Sequence, residues 1–316
     1  MLFRSYMGDF NMDIKQMKYF ITVADCGSIN KAAEELFTSQ PNVSKVINLL
    51  EKEIGIEIFY RNNKGVRMSE KGEELYDYAQ RILKNVDMIM SISNDKYIKK
   101  LNISSYPSHM VSRAFCDYYK KNDFHHLKVQ FLEGSIEEII ERVKSCISEI
   151  GIVYVIEQQK CCFNHTIEHK NMEFIRLDTK KACVYAGKNS SIYGRDSITI
   201  EELLNLKFVQ STKDFFSVEQ YLEKLYLVNK MENNRFCRVV TTNSDHAMID
   251  LLINTDLCSV GVKFTSDRYS EYDIKPIDIN GYEYEIYVGY IKRKGEKLSS
   301  EAQGFIKLLS EIIQND

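Results

Sequence analysis

The sequence predicts a small helical domain that ends in a two-stranded hairpin, then one long helix, and then a larger α/β domain. Apolar residues recur at helical spacing before residue 55, seven-residue spacing follows between residues 69 and 97, and strand-like runs alternate with helix-like runs from residue 99 onward. With 316 residues and 44% hydrophobic side chains, the chain can form two or three domains with real cores.

The first domain contains three predicted helices. The first has an apolar face and ends near Gly27, and Ser28 can cap the second helix through its hydroxyl. Thr38 and Ser39 open the third helix, in which Pro41 stands in the first turn, where a missing N–H group costs nothing. The second and third helices, joined by a tight turn, therefore form a helix-turn-helix pair.

The third helix leaves a polar face outward. Its outward residues are mostly short amides and hydroxyls: Gln40, Asn42, Ser44, Lys45 and Asn48. Such side chains supply the donors and acceptors that read base edges in the major groove of DNA. We therefore interpret this helix as a DNA recognition helix, with Ser28, Thr38 and Ser39 as further DNA-binding candidates.

A hairpin, or wing, follows the recognition helix. Alternating residues from Ile56 to Tyr60 predict one strand, residues 62–65 have turn chemistry, and a second strand returns through Met68. The hairpin carries three cations, Arg61, Lys64 and Arg67. Their expected targets are phosphates beside or across the minor groove, which position a protein on DNA without specifying sequence. A solvated surface hairpin is the alternative.

The overall charge limits how the chain can attract DNA. Its net charge is only −3, so no general basic field is present, and DNA affinity must come from local cations and weaken as salt rises. No stretch approaches the roughly 20 apolar residues of a membrane span, and the start of the chain lacks the apolar run of a signal peptide. We therefore expect a cytoplasmic protein.

A long helix is predicted after the hairpin, with Ser69 as its cap. Two lines of residues repeat every seven positions along it: Leu75, Ile82 and Ile89, and beside them Ala79, Val86 and Ser93. This pattern predicts a seam along which two copies pair, so that a dimer presents two recognition helices to a two-fold DNA site. The alternative is a helix packed on its own domain.

From residue 99 the pattern changes to strands followed by helices, which predicts parallel α/β layers. Ser135 with Glu138, and Thr199 with Glu202, have capping-box spacing and mark two helix starts. Further strands continue to the end of the chain, with predicted helices at residues 218–228, 245–253 and 302–313.

The motifs of the first domain resemble those of the LysR-type transcriptional regulators, and the resemblance extends from about Ile14 to Ile313. The residues that carry it are Phe20, Ser28, Ala32, Ala33, Ser39, Gln40, Pro41, Asn42, Val43, Ser44, Leu50, Glu51, Gly55, Phe59 and Arg61, and Gly72 also stands in its expected place. Two positions depart from the family pattern. Ser69 replaces a Thr, and Lys45 replaces a frequent Arg, which keeps the charge but loses bidentate geometry.

The resemblance implies that the α/β region consists of two Rossmann-like subdomains, arranged like a periplasmic binding protein, with a small inducer in the cleft between them. The expected boundaries are 12–68 for the winged helix-turn-helix domain, 69–97 for the linker helix, 99–178 plus 280–316 for subdomain I, and 179–279 for subdomain II. Residues expected to bind the effector are Ser104, Ser105, Ser108 and Tyr154 in the first subdomain, and Gln210, Ser211, Thr212, Thr242 and Asn243 in the second.

The serine-rich loop at residues 104–109 precedes a helix start, where its hydroxyls and amides can hold an anionic or polar ligand. A plain strand-to-helix loop is the alternative. The mechanism that follows is a homodimer or homotetramer in which the inducer changes the cleft and shifts the spacing of the recognition helices on DNA. The expected partners are double-stranded DNA, the inducer and, for an activator, RNA polymerase, and no cofactor or metal is expected.

A cluster of thiols and imidazoles supports a second hypothesis, a regulator that responds to redox state or metal. Cys161, Cys162, His165 and His169 lie close together in the sequence, and soft thiolate and imidazole ligands suit zinc or copper. Adjacent cysteines lack the usual spacing of a structural zinc site. The eight cysteines of the chain are scattered, which is typical of reduced thiols in a cytosolic protein.

An enzyme is the remaining class, because Cys183, Asp245 and His246 could form a nucleophilic group in a two-lobed cleft. The sequence has no GxSxG elbow, no Walker-type phosphate loop and no HExxH motif. We therefore favour a regulator over an enzyme and expect no catalytic residue.

Overall fold

The structure is a computed structural model that describes residues 12–62, 65–92, 99–122, 127–203, 205–211, 215–216, 218, 221, 237–264, 268–281 and 285–315. The chain divides into two compact units, one up to residue 98 and one from residue 99 onward. The first unit has three short helices, a hairpin and a long helix, and the second is an α/β unit. Within the described ranges, no helix combines the length and apolar character needed to cross a membrane.

Helices α1, α2 and α3 of the first unit span Ile14–Cys26, Ile29–Glu35 and Gln40–Ile54. Asp13 begins α1 through a capping box with Gln16, and the Ser28 hydroxyl accepts a hydrogen bond from the Lys31 amide at the start of α2. Helix α1 ends at Gly27, whose left-handed backbone (φ 57°) turns the chain toward α2. The end of α1 and the cap of α2 therefore lie where the sequence predicted them.

Strands β1 (Phe59–Asn62) and β2 (Gly65–Met68) form the predicted hairpin, and helix α4 follows at Glu70–Ile92. Ser69 begins α4 as expected. Its hydroxyl accepts a hydrogen bond from the Gly72 amide (3.0 Å) and donates one to the Glu57 carbonyl (2.6 Å). One side chain thus joins the start of α4 to the segment before β1.

The predicted seam on α4 divides between two environments. Leu75 and Ala79 pack with α1 on the core of their own unit, in which Ala79 is fully buried. The exposed large apolar residues of the helix are Tyr78, Ile82, Ile89 and Met90. The prediction that two copies pair along α4 is therefore wrong for the first half of the helix, because α1 of the same chain already covers that half. Ser93 lies outside the described residues.

The second unit contains strands β3 to β12 and helices α5 to α10. The strands span, in order, Lys99–Ser105, Leu127–Glu133, Ile150–Ile156, Met172–Ala186, Ser197–Thr199, Lys207–Gln210, Cys237–Thr241, Cys258–Val262, Lys275–Asn280 and Glu285–Arg293. The helices span His109–Lys121, Ile136–Lys144, Lys160–His169, Ile200–Leu203, Asp245–Asn254 and Ser300–Gln314. Most of the predicted helix at residues 218–228 lies outside the described residues.

The strands form two groups that share β6. One group has the order β4-β3-β5-β12-β6, and the other has the order β6-β10-β8-β9, with β11 also beside β6. Residues 172–181 of β6 pair with β12, and residues 182–186 pair with β10. Strands β3, β4 and β5 are parallel, as are β8, β9 and β10, but β6 and β12 run antiparallel to their neighbours. The prediction of parallel layers is therefore wrong, and the sheet is mixed. The antiparallel strand β6 continues from one group into the other, so both groups contain it.

Both predicted capping boxes of the second unit are confirmed. At the start of α6 the Ser135 hydroxyl accepts a hydrogen bond from the Glu138 amide (3.2 Å), and at the start of α8 Thr199 Oγ1 accepts one from the Glu202 amide (3.2 Å). Each glutamate side chain in turn accepts a hydrogen bond from the backbone amide of its capping residue. These reciprocal bonds satisfy backbone donors that the first helical turn leaves without partners.

Candidate DNA interface and ligand cavity

The outer face of α3 carries most of the predicted DNA-reading residues. Gln40, Lys45 and Asn48 are exposed, whereas Asn42 and Ser44 are half-buried. The opposite face of the helix is buried in the core of the first unit. Helix α3 therefore presents a row of polar side chains to solvent and cannot rotate without exposing apolar ones.

Hydrogen bonds hold two of the amides in place. Gln40 donates from Nε2 to the Ser44 hydroxyl (2.9 Å), and Asn42 donates from Nδ2 to Thr38 Oγ1 (2.9 Å). Ser39 precedes the helix without a side-chain cap bond. These residues all lie at the N-terminal end of α3, which is the end that contacts base edges in helix-turn-helix proteins.

The hairpin residue Arg61 is joined to α3. Its Nη2 donates to Oδ1 of Asn48 (2.5 Å) and lies 3.5 Å from a carboxylate oxygen of Glu51. Glu51 also accepts hydrogen bonds from the backbone amides of Ile58 and Phe59. Sequence reasoning missed this arrangement, in which α3 and β1 are linked by a shared group of charged and amide side chains.

The second strand of the hairpin lies against the turn between α1 and α2. The Val66 amide donates to the Gly27 carbonyl (2.9 Å), and a Cβ atom at Gly65 would lie only 2.6 Å from that oxygen. Close approach therefore requires glycine at this position. Arg67 is exposed on β2, and Lys64 lies outside the described residues.

The second unit contains a cavity of about 120 Å³. Five of the predicted effector residues line it: Ser108, Tyr154, Ser211, Thr242 and Asn243. The loops after β3, β8 and β9 supply four of them, and β5 supplies Tyr154. Strand ends from both groups therefore converge on one cavity. A further candidate, Thr212, lies outside the described residues.

Three predicted effector residues lie elsewhere. The hydroxyls of Ser104 and Ser148 share a hydrogen bond (2.7 Å), and the Ser105 hydroxyl donates to the Tyr106 carbonyl (2.7 Å). Gln210 is buried and does not line the cavity. These three residues are therefore not among the described residues of the cavity wall, and their contact with an effector stays a prediction. All three side chains are buried near the ends of β3 and β8, whereas residues that follow these two strands reach the cavity.

Aromatic rings that sequence reasoning missed form much of the cavity wall. They are Tyr106, His109, Tyr185, Phe216, Phe264 and Tyr269. The ring centroids of Tyr185 and Tyr269 lie 4.5 Å apart, and the His109 ring meets Tyr269 edge to face at 4.8 Å. Tyr154 contacts both Tyr106 (5.9 Å) and Phe264 (6.1 Å). These rings are far apart in the sequence, so their spacing carries no signal of a common wall.

Two helix starts border the cavity, at Ser108 and Ser244. Ser244 caps α9 by accepting a hydrogen bond from the Ala247 amide (3.3 Å), and Asp245 follows in the first turn. At α5 the Ser108 hydroxyl makes no cap bond, and its backbone amide donates to the Glu133 carboxylate. Each helix start thus already has a carboxylate of the chain beside it, which favours a polar ligand over an anionic one, the two kinds predicted for the serine-rich loop.

The electrostatic environment beside the cavity is acidic. Burial raises the pKa of the Glu133 carboxyl, and the negative charge of Asp245 raises it further. Hydrogen bonds from the Ser108 amide and the Ser112 hydroxyl (3.5 Å) lower the pKa in part. Among the described residues that line the cavity, no lysine or arginine is present.

The thiols and imidazoles at residues 161–169 lie on α7. Cys161 and Cys162 are exposed, and the Nε2 atoms of His165 and His169 lie 3.0 Å apart. Across the described part of the chain, no group of three or more His, Cys, Asp or Glu side chains is arranged to hold a metal ion. The redox or metal hypothesis is therefore not favoured.

The three residues considered for nucleophilic chemistry do not form a group. Cys183 is fully buried in a cluster with Val209 and Leu252. Asp245 lines the cavity, whereas His246 is exposed and Cys183 and His246 do not contribute to the wall. The cavity therefore lacks the nucleophile and base that the enzyme hypothesis placed there.

Comparison with known proteins agrees with the geometry of the first unit. Residues 14–73 match the family model described as "Bacterial regulatory helix-turn-helix protein, lysR family". The HTH-type transcriptional regulator BenM of Acinetobacter baylyi is 35% identical over 82 residues, which cover 26% of this chain and 27% of BenM. The chain spans less than two thirds of the length of the curated relatives that it matches in sequence.

Solved structures are similar to the fold over nearly its whole length. Full-length CbnR in complex with its target DNA has a TM-score of 0.58 at 16% identity, covering 95% of this chain and all of CbnR (100%). A full-length OxyR variant from Pseudomonas aeruginosa has a TM-score of 0.59 at 16% identity, covering 96% of this chain and 95% of OxyR. The chain therefore has the fold of these proteins, with an N-terminal helix-turn-helix domain and a C-terminal α/β domain.

Proposed function

The N-terminal domain of the chain belongs to the LysR family of bacterial helix-turn-helix regulators, and from this premise we propose that the protein is a sequence-specific transcriptional regulator controlled by a small effector molecule. The observation that carries the proposal is the exposed polar face of α3 within the matched residues 14–73. The DNA contacts come from Ser28, Thr38, Ser39, Gln40, Asn42, Ser44, Lys45, Asn48, Arg61 and Arg67, with Lys64 outside the described residues.

These contacts divide into two kinds. Gln40 and Lys45 are exposed in the first half of α3 and Asn48 is exposed at its middle, and amides and cations on this face can read base edges. Arg61 and Arg67 lie on the hairpin, where cations contact phosphates and position the domain without reading sequence. The first kind supplies discrimination between sequences, and the second supplies affinity that depends on salt.

The cavity of the second unit is the effector site of this proposal. It is bordered by residues from both strand groups, so a ligand there contacts the proposed subdomain I (99–178 plus 280–316) and subdomain II (179–279) together. Such a ligand alters DNA binding only when it binds one arrangement of the groups more tightly than another. For an activator, the bound protein also contacts RNA polymerase.

Self-association through α4 completes the proposal. The apolar residues Tyr78, Ile82, Ile89 and Met90 are 52%, 37%, 64% and 66% exposed within the chain. Exposed apolar side chains that share one stretch of a helix mark a surface that pairs with another protein surface. Pairing of two copies forms a dimer with two recognition helices for a two-fold DNA site, and a tetramer would combine two such dimers.

The first experiment is a selection of genomic DNA fragments by the purified full chain at about physiological salt, where backbone-only binding is weak. We expect enrichment of a motif with two-fold symmetry. Its neighbouring genes then suggest effectors to add to a footprinting experiment. Absence of an enriched motif, both with and without a small-molecule extract of the source cells, would contradict the proposed function.

A separate experiment tests the α4 surface. Sedimentation equilibrium of the full chain should show a dimer or tetramer, and the double variant Ile82→Gln, Ile89→Gln should shift the protein toward monomer. Lys84→Gln, on the far side of the same helix, introduces the same side chain and should leave assembly unchanged. An unchanged assembly of the double variant would show that α4 does not supply the pairing surface.

A further inference from the structure

The cavity of the second unit is small, and several aromatic rings line it. The tyrosines Tyr106, Tyr154, Tyr185 and Tyr269 line it, and Phe264 packs beside Tyr154. Its volume of about 120 Å³ compares with roughly 150 Å³ for an engineered protein cavity that binds benzene. A ligand with a body of about one ring therefore matches the available space.

The positions that would normally favour an anion are already occupied by carboxylates. A helix start attracts negative charge through its free amides and its dipole. At α9 this place is taken by Asp245 in the first turn, and at α5 Glu133 accepts the hydrogen bond of the Ser108 amide. A bound anion would therefore lie near two carboxylates of the chain.

The described wall offers no lysine or arginine that would compensate for an anionic ligand. A charge that loses contact with water is costly unless a group of opposite sign or several hydrogen bonds replace that contact. A positive ligand meets the reverse conditions. The Asp245 carboxylate is in the wall, and tyrosine rings present negative faces to a cation.

We propose that the cavity binds a small organic cation, an ammonium group carried on a body of about one aromatic ring, with Asp245 as the charged partner of the ammonium. This inference rests on the proposed function, in which the same cavity is the effector site. The ammonium donates a charge-assisted hydrogen bond to Asp245, and the hydroxyl oxygens of Ser108 and Ser211 accept further hydrogen bonds. The tyrosine rings enclose the aromatic body and exclude water around it.

Three probes of similar shape and size but different charge show whether the charge of a ligand decides how tightly it binds. 2-Phenylethylamine, 2-phenylethanol and phenylacetate carry an ammonium, a hydroxyl and a carboxylate on closely related bodies. Calorimetric titration of each into the full chain measures its affinity. The amine should bind about tenfold more tightly than the alcohol, as expected for one charge-assisted hydrogen bond, and phenylacetate should bind most weakly.

Two aspartates on α9 provide a matched pair of variants. Asp245→Asn should weaken binding of the amine about tenfold and leave the alcohol unchanged, because only the amine uses the charge. Asp250→Asn removes the same charge from an exposed position farther along the helix and should change neither affinity. The ranking of the three probes on the unaltered protein stands by itself if Asp245→Asn does not fold.

The possible outcomes separate this inference from the proposed function. Tightest binding of phenylacetate, equal binding of all three probes, or no binding of any probe overturns the cationic ligand. Retention of specific DNA by the same preparation is measured independently. DNA retention without preference for the amine refutes only the ligand class, whereas preference for the amine without DNA retention refutes only the regulator.

Discussion

Arg61 on the hairpin donates a hydrogen bond of 2.5 Å to Oδ1 of Asn48 on the recognition helix. Arg61 is proposed to contact phosphate and Asn48 to read bases. The bond therefore couples the affinity for any duplex to the discrimination between DNA sequences. Arg61→Ala should weaken binding to all duplexes and lower the salt dependence by about one unit of slope. It should also change the effect of Asn48→Ala by about 0.5–3 kcal/mol.

A double-mutant cycle on one specific duplex and one random duplex measures this coupling. Arg67→Ala, on the neighbouring strand β2, is the matched control, because it also removes a hairpin arginine and should combine additively with Asn48→Ala. Additive effects of Arg61→Ala and Asn48→Ala would show that the hydrogen bond plays no part when DNA is bound.

Replacement of Gln40 or Lys45 should reduce sequence discrimination. Each alanine variant should lose about 1–3 kcal/mol on the specific duplex relative to a random one, if the side chain makes a good base contact. Lys52→Ala removes the same charge near the end of α3 and should leave discrimination unchanged. Competition binding with both duplexes measures the difference. Equal losses on specific and random DNA would refute base reading by these two residues.

Gly72→Ala should destabilise the first unit. A Cβ atom at this position would overlap the carbonyl oxygen of Ile58, a backbone atom that cannot move aside as a flexible side chain can. The expected loss is about 1–3 kcal/mol in the free energy of unfolding, and DNA binding should fall with it. Gly304→Ala, where the nearest contact is an ordinary 3.4 Å to Tyr118, is the control and should not destabilise the chain. Urea unfolding compares the two variants, and similar stabilities would contradict the prediction.

Tyr76 should make stability depend on alkaline pH. Its hydroxyl donates to Asp25 Oδ1 (2.5 Å), and burial, followed by this bond, raises the pKa of the phenol from 10.0 to about 12. The folded chain therefore keeps a proton that the unfolded chain releases. The stability from this group is complete below pH 10.0 and is lost as the pH rises to about 12.

Unfolding free energies of the unaltered chain and of Tyr76→Phe, measured in urea across this range, isolate the group from the other tyrosines. The difference between the two proteins should be constant below pH 10.0 and should fall above it. Parallel curves over the whole range would mean that Tyr76 is not held neutral by its surroundings.

Local patterns predict the first unit well, because its caps and turns depend on neighbours in sequence. Ser69 bonds to Gly72 three residues away, and the chain turns at Gly27 because glycine adopts the left-handed backbone there. The seam on α4 was only partly predictable. Seven-residue spacing shows that Leu75 and Ala79 lie on an apolar face, but it does not show that α1 of the same chain covers that face.

The cavity depends on long-range order and was therefore predicted only in part. Ser211 and Thr242 follow strand ends, which a sequence can indicate. Tyr185 and Tyr269 meet only because β6 lies beside β10 and β11, and this strand order is not encoded by spacing. The sequence also predicted a residue that the described wall lacks. Gln210 ends a strand, as expected of a cavity residue, but its side chain is buried in the core.

The continuous strand β6 has a mechanical consequence. Its first ten residues are held by the ladder with β12 and its last five by the ladders with β10 and β11, so neither end can rotate freely. Rotation of one strand group against the other must be absorbed as torsion of the backbone near Lys181 and Ala182. Tyr185, a ring of the cavity wall, lies three residues beyond Ala182 on the same strand. Three strand residues span about 10 Å, so a ligand that presses on the Tyr185 ring acts on the same strand about 10 Å from the point where the backbone must twist.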